Sequence, residues 1–133
     1  MSQPNAELVR SLYAAFAKGD VPAVLGALDP AIVWNEAENF PYADGNPYVG
    51  PGTVAQGVFA RLGSEWEGFG VVLEEVLDAG QTVVALGRYV GAYRKTGKSI
   101  RAQFAHVWRL EGGRIRAFQQ YTDTAQVARA VNG

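Results

Sequence analysis

The sequence contains no cysteine and only one histidine among its 133 residues. Without cysteine the chain forms no disulfide and offers no thiolate nucleophile, an absence that fits a reducing compartment. Zinc and iron sites usually draw several ligands from histidine and cysteine, so a single histidine argues against a transition-metal enzyme. We therefore expect no metal and no cofactor.

Long apolar runs and clusters of one charge are also missing. No apolar stretch approaches the roughly 20 residues that a membrane span needs, and the first ten residues, MSQPNAELVR, lack the pattern of a signal peptide. The net charge is −1, and no run of lysine or arginine forms the basic surface that nucleic acid requires. The sequence predicts a cytoplasmic protein that binds neither nucleic acid nor a membrane.

The length and the apolar fraction of 48% predict one globular domain over residues 1–133. Apolar residues at helical spacing predict a first helix from a cap at Asn5 to a stop at Gly19. Asp20 is expected to cap a second helix with a stripe that ends at Leu28, and a third helix begins near 51–53. Residues 38–52 hold three prolines and three glycines, which predicts a long loop.

Strands dominate the remaining sequence. The sequence predicts a short first strand over Ile32–Ala37. Four later runs, which either alternate apolar and polar residues or are rich in β-branched residues, are also predicted as strands. These later runs are Val71–Leu77, Gln81–Tyr93, Ile100–Leu110 and Ile115–Thr122. Asp123 opens a short C-terminal helix with a capping pattern. The order predicts an α+β fold, with helices on one face of a bent antiparallel sheet.

The lone histidine, His106, lies in the run from Phe104 to Thr124, in the middle of a predicted strand. Alternation along that strand places it on the same face as Phe104 and Trp108. An imidazole at such a position is either a core histidine with satisfied hydrogen bonds or a functional group, and the sequence leaves both open.

Four segments resemble the NTF2-like superfamily, in its SnoaL-like and ketosteroid-isomerase-like branch: LVRSLYAAFAKGD (8–20), IVWNE (32–36), YVGPGTVA (48–55) and HVWRLEGGRIRAFQQYTD (106–123). The resemblance implies a cone-shaped fold in which a curved antiparallel sheet wraps around three N-terminal helices, with a short C-terminal helix. It also implies a pocket for a small hydrophobic molecule and a homodimer that packs through the outer sheet face. The family includes isomerases, cyclases, dehydratases and epoxide hydrolases, so the likeness does not select one reaction.

The resemblance implies two catalytic residues. The general-base aspartate of ketosteroid isomerases falls on Glu36, and an acidic residue of the later strand falls on His106. A carboxyl group in an apolar cone has a raised pKa that suits proton transfer, and a histidine can donate or shuttle a proton. The isomerase tyrosine of the first helix falls on Leu12, beside Tyr13, so an oxyanion site of that type is not implied.

Strand alternation and the implied family register predict an aromatic pocket wall. The expected substrate-binding residues are Tyr13, Trp34, Tyr89, Tyr93, Phe104, Trp108, Phe118 and Gln120. In the last strand either Phe118, Gln120 and Thr122 face inward, or a bulge turns Gln119 and Tyr121 inward instead.

Two functions remain open at this point. The first is a cofactor-independent enzyme in which Glu36 removes a proton or activates water while His106 polarises an oxygen of a hydrophobic metabolite. The second is a non-catalytic protein that binds a small ligand or a partner in the same cone. The enzyme requires Glu36 and His106 to face one cavity, whereas Glu36 could equally face solvent at the end of its strand.

Overall fold

Three helical segments accompany the start of the sheet, as the apolar spacing predicts. The computed structural model describes residues 3–133 and places α1 over Gln3–Ala17 and α2 over Val21–Gly26. The third helix is continuous through α3 (Pro51–Val54), a π-helical segment (Ala55–Phe59) and α4 (Ala60–Glu65). A last helix, α5, covers Thr124–Asn132.

Most helix ends follow the predicted capping residues. The side chains of Asp20 and Asp123 accept hydrogen bonds from the backbone N–H groups of Ala23 and Gln126 and so cap α2 and α5. Gly19 has a φ of 75°, the left-handed conformation that ends α1. The predicted cap at Asn5 is wrong, because α1 already includes it and its amide donates to the carbonyl of Gly80 instead.

Six strands form one curved, unclosed sheet in the order β2-β1-β6-β5-β4-β3. The strands are β1 (Leu28–Asn35), β2 (Tyr48–Val49), β3 (Trp66–Ala79), β4 (Thr82–Tyr93), β5 (Ser99–Glu111) and β6 (Arg114–Thr122). All neighbours are antiparallel except β1 and β6, which run parallel. The α+β fold, a curved sheet around N-terminal helices with a short C-terminal helix, is confirmed.

The first strand begins earlier than its sequence suggests. Leu28, expected on the second helix, instead starts β1 and pairs with Ile115 of β6. The backbone N–H of Ile115 also donates to the carbonyl of Ala27 at 3.1 Å. The hydrogen bonds between β6 and this part of the chain therefore begin directly after α2. The strand also ends earlier than predicted, at Asn35, so Glu36 lies directly after β1 and not within it.

The segment 38–52 is more ordered than a long loop. Residues Pro41–Gly45 form a 3₁₀ turn, and β2 pairs antiparallel with β1. Tyr42 is 1% exposed, its hydroxyl donates to the carboxylate of Glu65, and the guanidinium of Arg61 lies 4.1 Å from its ring centre. Arg61 also pairs with Asp44, so the segment is fixed against the third helix.

No helix in residues 3–133 is long and apolar enough to cross a bilayer. The apolar side chains instead form one core between the inner sheet face and the helices. Its centre is aromatic, with the rings of Trp34 and Phe118 stacked at a centroid distance of 3.9 Å.

A glycine in β4 allows the sheet to pack around this aromatic core. A Cβ atom on Gly87 would lie 2.1 Å from the carbonyl oxygen of Val72 and 2.9 Å from the Phe104 ring. We expect Gly87→Ala to lower the free energy of unfolding by about 1–3 kcal/mol, since the added methyl forces β3 away from β4. Urea unfolding would measure the change.

Gly63→Ala is the matched control, because nothing lies within 4 Å of that position and Gly63 is inside α4. Alanine there should raise stability by about 0.5–1 kcal/mol through its higher helix propensity. Equal effects at both glycines would contradict the close packing at Gly87.

Candidate functional site

A small cavity of about 70 Å³ lies between the inner face of the sheet and the helices. Its wall is mostly apolar and aromatic, and the polar groups that reach it belong to Tyr13, Glu36, Tyr89, His106 and Gln120. Drug-sized ligands usually occupy 300–1,000 Å³. The space therefore admits a small molecule, or one end of a larger one.

Glu36 faces this cavity and is only 3% exposed. The indole Nε1 of Trp34, two residues earlier on the same face, donates to Glu36 Oε2 at 2.9 Å. Burial raises the pKa of Glu36 to about 7, although the Trp34 hydrogen bond and the charge of Arg61 oppose the rise. Near neutral pH the carboxyl group is poised between its acid and base forms.

The backbone around Glu36 is fixed by side chains from elsewhere in the chain. The amide of Asn46 accepts from the N–H of Glu36 at 2.9 Å and donates to its carbonyl at 2.8 Å. The next N–H, that of Ala37, donates to Gln120 Oε1 at 3.0 Å. The segment 38–52 thus helps to aim the carboxyl group at the cavity.

His106 lines the same cavity from β5 and is 5% exposed. Both of its ring nitrogens are hydrogen-bonded to tyrosine hydroxyls, with Nδ1 2.6 Å from Tyr13 Oη and Nε2 2.5 Å from Tyr89 Oη. The Phe104 ring stacks on the imidazole at a centroid distance of 4.0 Å. Burial lowers the pKa of His106 to about 3, so the ring is neutral at physiological pH.

Each of the two hydroxyls has one further partner. Trp108 Nε1 donates to Tyr13 Oη at 2.9 Å, and Gln120 Nε2 donates to Tyr89 Oη at 2.8 Å. Burial is the main cause that raises the pKa of both tyrosines, so both remain protonated hydroxyls. The polar side chains that share the cavity with the carboxyl group thus form a neutral network of hydrogen-bond donors.

The two residues predicted as catalytic therefore face one cavity, and neither points to solvent. Their catalytic roles stay predictions. Six of the eight predicted binding residues also line the cavity: Tyr13, Trp34, Tyr89, Trp108, Phe118 and Gln120. In the last strand Phe118 and Gln120 face inward, as in the first of the two predicted registers, since Gln120 is buried while Tyr121 is 57% exposed. The pairing with β5 does shift by one residue, but earlier in the strand, between Ile115 and Ala117.

Tyr93 and Phe104 do not line the cavity, contrary to the prediction from alternation. Tyr93 is the last residue of β4, and the centroid of its ring lies 5.0 Å from that of the Trp66 ring. Phe104 faces inward but is covered, because its ring lies between His106 and the glycine at position 87. Alternation predicts on which face of a strand a side chain lies. It does not predict whether that side chain reaches the cavity or is covered by its neighbours.

Sequence reasoning missed most of the wall that the helices, β3 and the segment 38–52 supply. These residues are Leu12, Phe16, Val24, Phe40, Val58, Phe59, Leu62, Phe69 and Val71. Several of them belong to helical apolar stripes that were recognised, but a stripe indicates burial and does not distinguish a cavity wall from the core.

Within residues 3–133, no group of three or more His, Cys, Asp or Glu side chains is arranged to hold a metal ion. The groups available for chemistry are thus a carboxyl group, two hydroxyls, a neutral imidazole and an amide.

Residues 9–118 match the family model of the SnoaL-like domain. No curated protein sequence matches the chain. The fold is shared by many solved structures, which include proteins with a stated reaction and proteins of unknown function.

Three of these structures show how sequence identity to this chain varies while the fold is shared. An NTF2-like protein from Burkholderia thailandensis is 43% identical, with a TM-score of 0.90 over 94% of this chain and 95% of that one. An NTF2-like protein of unknown function from Burkholderia pseudomallei is 30% identical, with a TM-score of 0.89 over 98% of each chain. A proposed SnoaL-like polyketide cyclase from Jannaschia is 19% identical, with a TM-score of 0.84 over 99% of this chain and 94% of that one.

Proposed function

Since the chain belongs to the SnoaL-like domain family of the NTF2-like superfamily, we propose that it is a cofactor-independent acid/base enzyme acting on a small hydrophobic, oxygenated molecule. The observation that carries this proposal is the buried carboxyl group of Glu36, which lines one cavity with hydroxyl donors and whose pKa is raised by burial to about 7. A general base is most effective when its pKa is close to the pH of the reaction.

The simplest reaction for these groups is proton abstraction beside a carbonyl. The Glu36 carboxylate takes the proton from the α-carbon, and the C–H electron pair forms the carbon–carbon double bond of an enolate. The carbonyl oxygen then carries the negative charge, which a tyrosine hydroxyl of the same cavity stabilises by a hydrogen bond. Return of the proton to another carbon of a conjugated enolate completes an isomerisation, whereas its return to the same carbon gives exchange or epimerisation. If the enolate instead expels a β-hydroxyl group, which takes the proton from Glu36 and leaves as water, the reaction is a dehydration.

His106 enters this proposal through the tyrosines that it contacts. Its neutral ring and its two occupied nitrogens suit a group that holds Tyr13 and Tyr89 in place. Direct protonation of a substrate oxygen would require the ring to leave one of these partners.

Hydrogen–deuterium exchange tests the proposal without knowledge of the natural substrate. We would incubate the protein in D₂O at pH 8 with small ketones and with α,β- and β,γ-unsaturated ketones, and follow α-proton loss by ¹H NMR. Exchange above that of the buffer, lost in Glu36→Gln, is the expected result. If every compound binds and none exchanges faster than in buffer, the enolising enzyme is rejected.

The alternative is a non-catalytic protein that binds a small ligand in the same cavity. The fully bonded ring of His106 favours it, because a satisfied core histidine needs no catalytic role. Here Glu36→Gln should leave ligand affinity within about twofold, since an apolar cavity dominates binding. A cysteine-free chain suits the cytoplasm, where we place either function.

We further propose a homodimer that forms through the outer face of the sheet. This face bears the apolar side chains of Val33, Val49 and Tyr121, which are 38%, 54% and 57% exposed. At its centre are half-buried Val84 and Val107, which are paired across β4 and β5. Burying such a surface against a second copy would remove apolar area from water.

Val107→Glu should convert this dimer to a monomer, because a charge at the centre of the face would lose its hydration on association. Sedimentation velocity would measure the change. Ala14→Glu, which adds the same charge to an exposed position of α1, is the control and should remain dimeric. A monomeric wild type at 100 µM, or an unchanged dimer in the Val107 variant, would contradict the interface.

A further inference from the structure

The hydrogen-bond network around His106 contains one more donor hydrogen than it has hydrogen bonds. Its donors are the indole N–H of Trp108, one amide N–H of Gln120, the hydroxyls of Tyr13 and Tyr89, and one N–H on the neutral imidazole. These five hydrogens serve four contacts: Trp108 with Tyr13, Tyr13 with His106, His106 with Tyr89, and Gln120 with Tyr89. One hydrogen is left over.

The spare hydrogen must be on a tyrosine. The N–H groups of Trp108 and Gln120 can only donate, and the Gln120 amide is oriented because its oxygen accepts from the N–H of Ala37. A neutral imidazole donates through one nitrogen and accepts through the other. The tyrosine that donates to the accepting nitrogen has used its hydrogen, whereas the tyrosine at the N–H keeps its own.

The position of the imidazole proton therefore decides which hydroxyl is available to a ligand. With the proton on Nδ1, Tyr13 keeps a free O–H; with the proton on Nε2, Tyr89 keeps it. Both tyrosines line the cavity, and within residues 3–133 neither hydroxyl has a third hydrogen-bond partner.

The charge of Glu36 separates the two arrangements. Gln120 links Tyr89 to the backbone beside Glu36, because its Oε1 accepts from the N–H of Ala37, the residue after Glu36, and its Nε2 donates to Tyr89 Oη. The further partner of Tyr13 is Trp108 instead. In agreement, the Glu36 carboxylate is, after burial, the next cause that raises the pKa of Tyr89, whereas burial alone raises the pKa of Tyr13. Glu36 thus acts electrostatically on the hydroxyl of Tyr89. A negative charge favours a hydroxyl hydrogen turned toward it, which leaves the Tyr89 oxygen to accept from His106.

We propose that His106 carries its proton on Nε2, so that Tyr89 is the residue that donates to a ligand oxygen while Tyr13 donates to Nδ1 and holds the ring. His106 is then a positioning residue and Tyr89 the group that touches the ligand. The ligand class follows: a carbonyl, hydroxyl or epoxide oxygen that accepts from Tyr89 with its carbon skeleton toward the aromatic wall. That the acceptor belongs to a substrate rests on the proposed function; the proton position does not.

The single histidine makes the arrangement directly observable. Long-range ¹H–¹⁵N correlation spectra at pH 7.5 distinguish a protonated from an unprotonated ring nitrogen, and one imidazole gives one set of signals. We expect protonated Nε2 in the wild type. In Tyr89→Phe the proton should move to Nδ1, where Tyr13 can accept it, and in Tyr13→Phe it should stay on Nε2.

A matched pair of probes tests the ligand contact. Acetone has an acceptor oxygen, and 2-methylpropene has the same shape without one. We expect Tyr89→Phe to weaken acetone binding about tenfold, Tyr13→Phe to weaken it less than threefold, and neither variant to change 2-methylpropene binding beyond twofold. The indole N–H signals of the three tryptophans report whether each variant is folded.

Protonated Nδ1 or an imidazolium in the wild type would overturn the assignment, as would a larger acetone loss in Tyr13→Phe than in Tyr89→Phe. The wild-type spectrum decides the proton position even if a variant misfolds. Because neither readout requires turnover, absence of proton exchange with protonated Nε2 rejects the proposed enzyme and leaves this inference standing.

Discussion

Replacing Glu36 by glutamine should lower the rate of α-proton exchange by a factor of about 10² to 10⁴, the usual contribution of a general base. Glutamine keeps the size of the side chain and an oxygen that can accept from Trp34 Nε1. The wild-type rate should rise with pH through about 7 and level off above it, as the carboxyl group ionises. The pH profile of exchange would measure both effects.

The same variant should be more stable than the wild type at neutral and higher pH. The pKa of Glu36 is raised from 4.5 to about 7 on folding, so the unfolded chain loses its proton first. The contribution of Glu36 to wild-type stability therefore falls as pH rises from 4.5 to about 7, by about 3 kcal/mol. Glu36→Gln should not show this loss in urea unfolding.

Glu38→Gln provides the control, because Glu38 is exposed and does not line the cavity. It should leave the exchange rate unchanged. An equally active Glu36→Gln protein, or one that is less stable at pH 8 than at pH 5, would refute the assignment of Glu36 as a buried base.

His106→Gln should also lower exchange about 100-fold or more, because the hydroxyl donors lose the ring that aligns them. The effect on stability has the opposite pH dependence to that of Glu36. The pKa of His106 falls from 6.5 to about 3 on folding, so the unfolded chain binds a proton first as pH falls. The contribution of His106 to wild-type stability should fall as pH falls from 6.5 to 3, by about 5 kcal/mol.

These two slopes nearly cancel between pH 4.5 and 6.5, where the wild type should have a flat stability profile. Each variant removes one of the two contributions and leaves the other. Glu36→Gln retains the contribution of His106 and should gain stability as pH rises to about 6.5. His106→Gln retains the contribution of Glu36 and should lose stability as pH rises from about 4.5 to 7. Urea unfolding across pH 4 to 8 would show this. Parallel profiles for both variants would mean that neither group is buried as described.

How far the sequence predicts the site can be seen at three residues. The alternation of β5 placed His106 inside, and the family register placed Glu36 in the same cavity, as the structure has them. The proton state of His106 could not be predicted, because it depends on burial by elements distant in sequence. Tyr13 was placed at the site, but its contact with His106 spans 93 residues and has no sequence signal.

Local errors have a similar origin. Leu28 fits a helical stripe by its spacing, yet pairing with β6 draws it into β1. Residues 38–52 have the composition of a loop, but Tyr42 and Asn46 find partners in the third helix and at Glu36 that order the segment. In each case tertiary contacts overrode a local preference.

By itself the sequence determined the α+β class, the helix caps at Asp20 and Asp123, the inward face of β5 and the resemblance to the family, whereas the inward face of β6 stayed open. These properties depend on neighbouring residues and on periodicity, which the chain carries locally. Only the tertiary structure decided the size of the cavity, the raised pKa of Glu36 and the hydrogen-bond network of the single histidine. Solvent exclusion and donor–acceptor pairing arise where distant segments meet, so they exist only once the curved sheet has packed against the helices.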